Sequence, residues 1–99
     1  MLIVAILTVR RDRDEDFRRF ETAAARIMAR HGGAIERTVA LDDPHGGETF
    51  RELHLVRFPG EAAFAAYRTE PELAALRPLR DAAVVATETW TGTDGPTYG

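Results

Sequence analysis

ELHLVRFPGEAAFAAYRTEPELAALRPLR, residues Glu52–Arg80, is the stretch on which the fold turns. It leaves a strand at Phe58, crosses the break Pro59-Gly60 and enters an alanine-rich helix, Glu61–Arg68, with Phe64 and Tyr67 three apart. Thr69-Glu70-Pro71-Glu72 reads as a fresh helix start with proline at the first helical position. Leu73, Leu76 and Leu79 continue the apolar side, and Pro78 is expected to end or kink that segment. Ala83–Thr91 (AVVATETWT) reads as the next strand, and the tail Gly92–Gly99 has the composition of turns and disorder.

A matching strand and helix fill the first half. Leu2–Val9 (LIVAILTV) is a near-continuous, β-branched apolar run, the pattern of a central strand buried on both faces. The charged cluster Arg10–Asp16 supplies a helix start, with Asp12 or Asp14 as the expected cap. Phe17, Phe20, Ala24, Ile27, Met28 and His31 recur at helical spacing, and Gly32-Gly33 ends the helix. Ala34–Leu41 is a second strand, expected to carry Ile35, Val39 and Leu41 on one face. After the turn formers Asp42–Gly47 comes a third strand, Glu48–Phe58. The expected hairpin register sets Leu41 against Glu48, Val39 against Phe50, Arg37 against Glu52 and Ile35 against His54, with a one-residue shift as the alternative.

The order β-α-β-β-α-β is that of a split βαβ unit. The expected fold is therefore α+β and ferredoxin-like: a four-stranded antiparallel sheet with helices on one side and the first and third strands central. Residues 1–92 are read as one domain and 93–99 as a flexible tail. Such a sheet leaves one face uncovered. If that face is apolar it needs a partner, so a homodimer formed through the open sheet face is expected.

Composition bounds the function. The 99 residues are 44% hydrophobic and 29% charged, as in an ordinary globular chain. The net charge is −3 with no basic run, which argues against nucleic acid. All 13 cations are arginine, and the absence of cysteine removes disulfides and thiolate chemistry. Leu2–Leu7 is too short to span a bilayer and lacks the flanks of a signal peptide, so no membrane role is expected and the cytoplasm is the default.

Two segments carry a family resemblance: HGGAIERT from His31, and FPGEAAFAAYRTEPELAALRPLR from Phe58. They are similar to the small DUF1330-type proteins of the dimeric α/β-barrel superfamily, which also holds NIPSNAP-like and antibiotic-biosynthesis-monooxygenase-like proteins. Arg57 stands where such relatives usually carry a glutamate before Phe-Pro. The resemblance implies a ferredoxin-like subunit whose open face packs on a second copy. It also implies an organic small-molecule substrate, with cofactor-independent oxygenation or isomerisation as the chemistry.

Among individual residues, His54 and Glu52 lie two apart on a strand and share a face. A histidine beside a carboxylate can act as general base or acid, which makes this pair the candidate catalytic residues. Arg37, placed across from Glu52, would orient an anionic group. The structural alternative is an Arg37–Glu52 ion pair with His54 hydrogen-bonded at a sheet face. Trp90 with Glu88 forms a second candidate, able to stack on and bond a ligand or to pack an interface. Arg80 can grip a carboxylate or phosphate, or pair with Glu72 or Asp81. His31 and His45 have no metal-site spacing, and neither metal nor cofactor is expected.

No Walker, dinucleotide or nucleophile-elbow pattern is present. Two readings remain: a small-molecule enzyme, or a non-catalytic binding or accessory protein. An open cavity holding His54 and Glu52 together with Trp90 or Arg37 favours the first; a filled one favours the second.

Overall fold

In the computed structural model, which describes residues 1–43 and 45–99, the sheet is built from β1 (Leu2–Arg10), β2 (Ala34–Leu41), β3 (Thr49–Arg57) and β4 (Val84–Gly92). Their order is β2-β3-β1-β4 and every neighbouring pair is antiparallel. The α+β ferredoxin-like expectation holds, with β1 and β3 central. The helices are α1 (Asp14–Ala29), α2 (Glu61–Arg68), α3 (Pro71–Ala75) and α4 (Arg77–Ala83).

α1 follows a single 3-10 turn over Arg11–Arg13. Neither expected aspartate caps it: the cap position is Arg13 without a side-chain bond, and Asp14, Glu15 and Asp16 form the acidic first turn instead. Carboxylates there favour the helix through its dipole. Phe17, Phe20, Ala24, Ile27 and Met28 are buried, as their spacing requires. The helix ends in a Schellman arrangement. Gly33 N–H donates to Met28 O and Gly32 N–H to Ala29 O, with Gly32 at φ +73°. The second helical stretch breaks just ahead of Pro78, as expected. α3 stops at Leu76, and Pro78 opens α4, where its missing N–H costs nothing.

The β2–β3 register differs from expectation by three residues: Leu41 lies opposite Arg51, Ala40 opposite Glu52, Thr38 opposite His54 and Arg37 opposite Leu55. Two successive turns, Gly46 N–H to Asp43 O and Thr49 N–H to Gly46 O, consume the residues that the shorter hairpin would have paired. Pro44, inside the expected turn, lies outside the described residues. An irregularity between Ile35 and Arg37 then reverses the side-chain alternation. Ile35 opposes Val56 on the helix-covered face, while Val39 and Leu41 lie on the open one. A second irregularity, at Thr8/Val9 of the β1–β4 pairing, sends Val84 into the core, away from Ala86, Glu88 and Trp90.

Side chains between sheet and helices form two apolar clusters. Leu7, Val9, Phe17, Ala83 and Val84 make one; Ile3, Met28, Val56 and Phe58 make the other, flanked by Phe64 and Tyr67. Between them crosses a polar row set by the register, Thr38–His54–Ala5–Thr89, with Glu52 and Thr87 one step away. The opposite face presents Val4, Ile6, Val39, Leu53, Leu55 and Trp90 with no helix over them, and Trp90 is 54% exposed.

Candidate functional site

The centre of the polar row is His54, 4% exposed and the one buried polar residue among the described residues. Strand alternation turns Glu52 and His54 to the same side, and Glu52 Oε1 lies 2.8 Å from His54 Nε2. The other ring nitrogen, Nδ1, is 3.7 Å from Glu21 Oε2 on α1, and the Phe17 ring packs beside the imidazole at 6.2 Å between centroids. The result is a Glu52–His54–Glu21 series enclosed between β3 and α1.

Burial pushes the Glu21 carboxyl above its ordinary value. The Glu52 charge adds to the rise, while His54 and Arg80 oppose it. Arg80 Nη2 donates to Thr87 Oγ1 at 2.7 Å, placing its guanidinium on the helix side of the sheet. Tyr67, packed at 5.3 Å from the Phe58 ring, is pushed up to about 12 by burial, with the Glu21 charge contributing and Arg80 opposing. Its phenol therefore stays protonated at neutral pH. Tyr67 and Arg80 both line a cavity of about 530 Å³ between α1, α2, α3 and α4.

The candidates named from sequence fall on two faces. His54 and Glu52 lie beneath the helices, and Arg80 reaches the same side from α4. Arg37 lies opposite Leu55, Glu88 opposite Ile6 and Trp90 opposite Val4, all on the open face. The expected Arg37–Glu52 pairing does not form, because the register shift sends the two side chains to opposite sides. The sheet itself separates His54 from Trp90 and Arg37. Arg80 takes Thr87 as partner with Asp81 at 3.7 Å, while Glu72 goes to Arg30.

Two residues of the cluster escaped the sequence reading. Glu21 is four residues after Phe17 and three before Ala24, so a carboxylate sits on the buried stripe of α1. An acid at a core position was the available signal. For Tyr67 the sequence shows only its spacing of three from Phe64. His31 binds Glu70 at 2.8 Å and His45 is exposed, and no group of three metal-ligating side chains occurs among the described residues. No helix there is long and apolar enough to cross a membrane.

The family model for the domain of unknown function DUF1330 matches residues 3–90. The chain belongs to the DUF1330 family. This DUF1330 chain is similar in fold to an uncharacterized NIPSNAP domain protein from Burkholderia xenovorans (TM-score 0.68, 13% identity, covering 100% of this chain and 99% of that one). It is also similar to SnoaB, a cofactor-independent oxygenase from Streptomyces nogalater (TM-score 0.63, 13% identity, 95% and 94% covered). A protein of unknown function from Rhodopseudomonas palustris has the same fold (TM-score 0.70, 16% identity, 94% and 84% covered). At these identities the likeness concerns the fold. Comparison with curated proteins finds no relative by sequence.

Proposed function

We propose that this DUF1330 protein is a homodimeric enzyme acting on an organic small molecule, with Glu21 as proton acceptor and His54 and Glu52 positioning it. The observation that carries this reading is the enclosed Glu52–His54–Glu21 series, with Glu21 in electrostatic reach of the cavity-lining Tyr67 and Arg80. A carboxyl held above its usual range is suited to general base work near neutral pH.

Glu21 takes a proton from an acidic carbon of the ligand, and the C–H electron pair stays on that carbon as an enolate. The protonated Tyr67 phenol donates a hydrogen bond to the enolate oxygen. His54 Nδ1 faces Glu21 Oε2 and holds the carboxyl in place. At 3.7 Å this contact must shorten before it is a hydrogen bond. Return of the proton to another carbon completes an isomerisation without net oxidation. Where dioxygen is the co-substrate, the carbanion's electron pair ends in a new C–O bond to dioxygen and the proton on Glu21 passes to the distal oxygen, giving a hydroperoxide, a cofactor-free route supported by the fold likeness to SnoaB.

The dimer is supported by the uncovered apolar face. Arg37 lies on its β2 edge and Glu88 on its β4 edge. Opposite charges at opposite edges make the face self-complementary under a two-fold axis. A second reading, non-catalytic ligand binding, is favoured by the near-complete burial of His54 and its separation from Trp90 and Arg37.

Hydrogen–deuterium exchange separates the readings. Carbon-acid compounds (β-diketones, aryl ketones, aryl carboxylates) are incubated with the protein in heavy water and followed by proton NMR. Exchange that depends on the protein and disappears in Glu21→Gln is expected. Exchange equal to the protein-free rate across the panel would sink the enzyme reading and leave the binding one.

A further inference from the structure

The cavity between α1 and the α2–α4 stretch carries a charge pattern that the proton-transfer chemistry leaves unexplained. Phe20, Tyr67 and Leu73 give it an apolar wall, while Arg68, Arg77 and Arg80 converge on it. Asp81 is the only acid in its lining and lies 3.7 Å from Arg80, too far for a hydrogen bond. Arg77 enters no ion pair or side-chain hydrogen bond among the described residues. Arg68 has only the face of Phe64, at 5.4 Å. Away from the cavity, Arg30 is matched to Glu72, Arg57 to Glu36 and Asp94, and Arg18 to Asp14, while Arg10, Arg26 and Arg37, all exposed, enter no ion pair among the described residues. On a chain of net charge −3, three arginines facing one cavity against one acid form a local reversal of sign.

We propose that this cavity binds a small organic acid, its carboxylate held by Arg77 and Arg80 with Arg68 at the rim, and its apolar body laid against Phe20, Tyr67 and Leu73. Guanidinium groups suit this task because their planar donor fork matches a carboxylate. The volume of about 530 Å³ is that of a site for a ligand of ordinary metabolite size. The inference names the substrate class of the function proposed above. It rests on that reading only for orientation: a carboxylate on Arg80 directs the rest of the molecule toward the apolar wall at Phe20 and Tyr67.

Phenylacetate and its neutral isostere phenylacetamide, with inorganic phosphate as a third probe, test the assignment by chemical-shift titration of the full-length protein. Phenylacetate is expected to bind at least about tenfold more tightly than the amide, the ratio expected when one charge-assisted contact is lost. Arg77→Gln and Arg80→Gln should each weaken phenylacetate about tenfold, leave the amide unchanged and preserve the far-ultraviolet spectrum. Added salt should weaken the acid alone. Equal affinity for acid and amide, absence of saturable phenylacetate binding, or indifference to both substitutions overturns the proposal. Inorganic phosphate binding as tightly as phenylacetate overturns its organic part. Phenylacetate binding without any heavy-water exchange leaves the acid site standing and removes the enzyme. Exchange on neutral ketones with no preference for acids does the reverse.

Discussion

His54 Nδ1 lies 3.7 Å from Glu21 Oε2, which places a strand imidazole and a helix carboxylate across the sheet–helix interface from one another. Neither group is near the other in sequence, and each sits on the apolar side of its own element. Their meeting interrupts what would otherwise be one continuous core and leaves two apolar clusters on either side. A buried imidazole between two half-buried carboxylates is costly unless each group has a partner. Glu52 answers one ring nitrogen and Glu21 faces the other, so the imidazole is the element that makes both carboxylates tolerable.

Glu21→Gln tests whether the carboxylate is there for stability. Its folded pKa is raised, chiefly by burial, so the folded protein holds that proton more tightly than the unfolded chain. Below the ordinary carboxylate range the group carries no penalty. As pH rises through the raised value, ionisation costs stability, and the cost persists above it. Glu21→Gln should therefore match the native protein in acid and equal or exceed it at neutral pH, read from urea midpoints. A large loss of stability at neutral pH would show that the carboxylate is a structural tie.

His54→Ala should act in the opposite direction. It removes a packed ring beside Phe17 and leaves Glu52 and Glu21 with like charges and nothing between them. Breaking a buried charged network by deleting one member costs roughly 3–5 kcal/mol. The double variant His54→Ala/Glu52→Gln should recover part of that loss, measured by the same urea titration. For catalysis the informative result is loss of turnover in a variant that still folds and self-associates; unfolding alone speaks for structure.

Much of this arrangement was legible in the chain, and what was not has identifiable causes. Continuous β-branched runs, the Gly-Gly helix end and the Glu-Pro-Glu restart settle the element order because each is a local backbone preference. Register is not local. The β2–β3 pairing expected from charge matching failed because two turns and an irregularity near Glu36, which leave little trace in composition, displaced it by three residues. That displacement alone sent Arg37 to the face opposite Glu52. His54 and Glu52 survived the error because their shared face depends only on alternation within β3. Glu21 was missed because its role appears only when α1 is laid over β3.

Leu55→Asp tests the open face. Leu55 pairs with Val4 and lies opposite Arg37, in the middle of the uncovered apolar surface, and is half-buried without any helix above it. A carboxylate there cannot be desolvated against a second apolar sheet without a large penalty. Light scattering coupled to gel filtration should give a dimer mass for the native protein and a monomer mass, or aggregate, for the variant. A native monomer at all concentrations tested would remove the dimer from the proposal.

Arg57→Ala should release the chain end without unfolding the domain. Arg57 Nε donates to Glu36 at 2.7 Å, and Nη2 donates to Asp94 at 3.0 Å, drawing the residue beyond β4 back across the end of the sheet. Bonding to Arg57 holds the Asp94 carboxyl below its ordinary value. The tether is therefore intact above the usual carboxylate range and is lost as pH falls through the depressed value. These contacts are exposed, and exposed ion pairs add little to global stability. Amide exchange after Gly92 should quicken in the variant and, in the native protein, on acidification, while the melting temperature stays nearly constant. A substantial fall in melting temperature would mean that Arg57 does more than fasten the tail.

Gly33→Ala isolates the end of α1 from everything chemical. Gly33 donates to Met28 O and approaches the second apolar cluster so closely that an added Cβ would lie 2.6 Å from Met28 Cγ and clash with the Phe58 ring. Phe58 is fully buried and carries the packing of Phe64 and Tyr67 at 5.2 and 5.3 Å, so its ring has no free space into which to yield. Overpacking of this kind costs roughly 1–3 kcal/mol. The loss should appear in the urea midpoint with an unchanged slope, since the surface exposed on unfolding is the same. Because Tyr67 rests on Phe58, the displacement should also reach the cavity wall and weaken phenylacetate and phenylacetamide equally. Equal weakening separates the packing role of Phe58 from the charge role of Arg77 and Arg80, whose substitutions affect the acid alone.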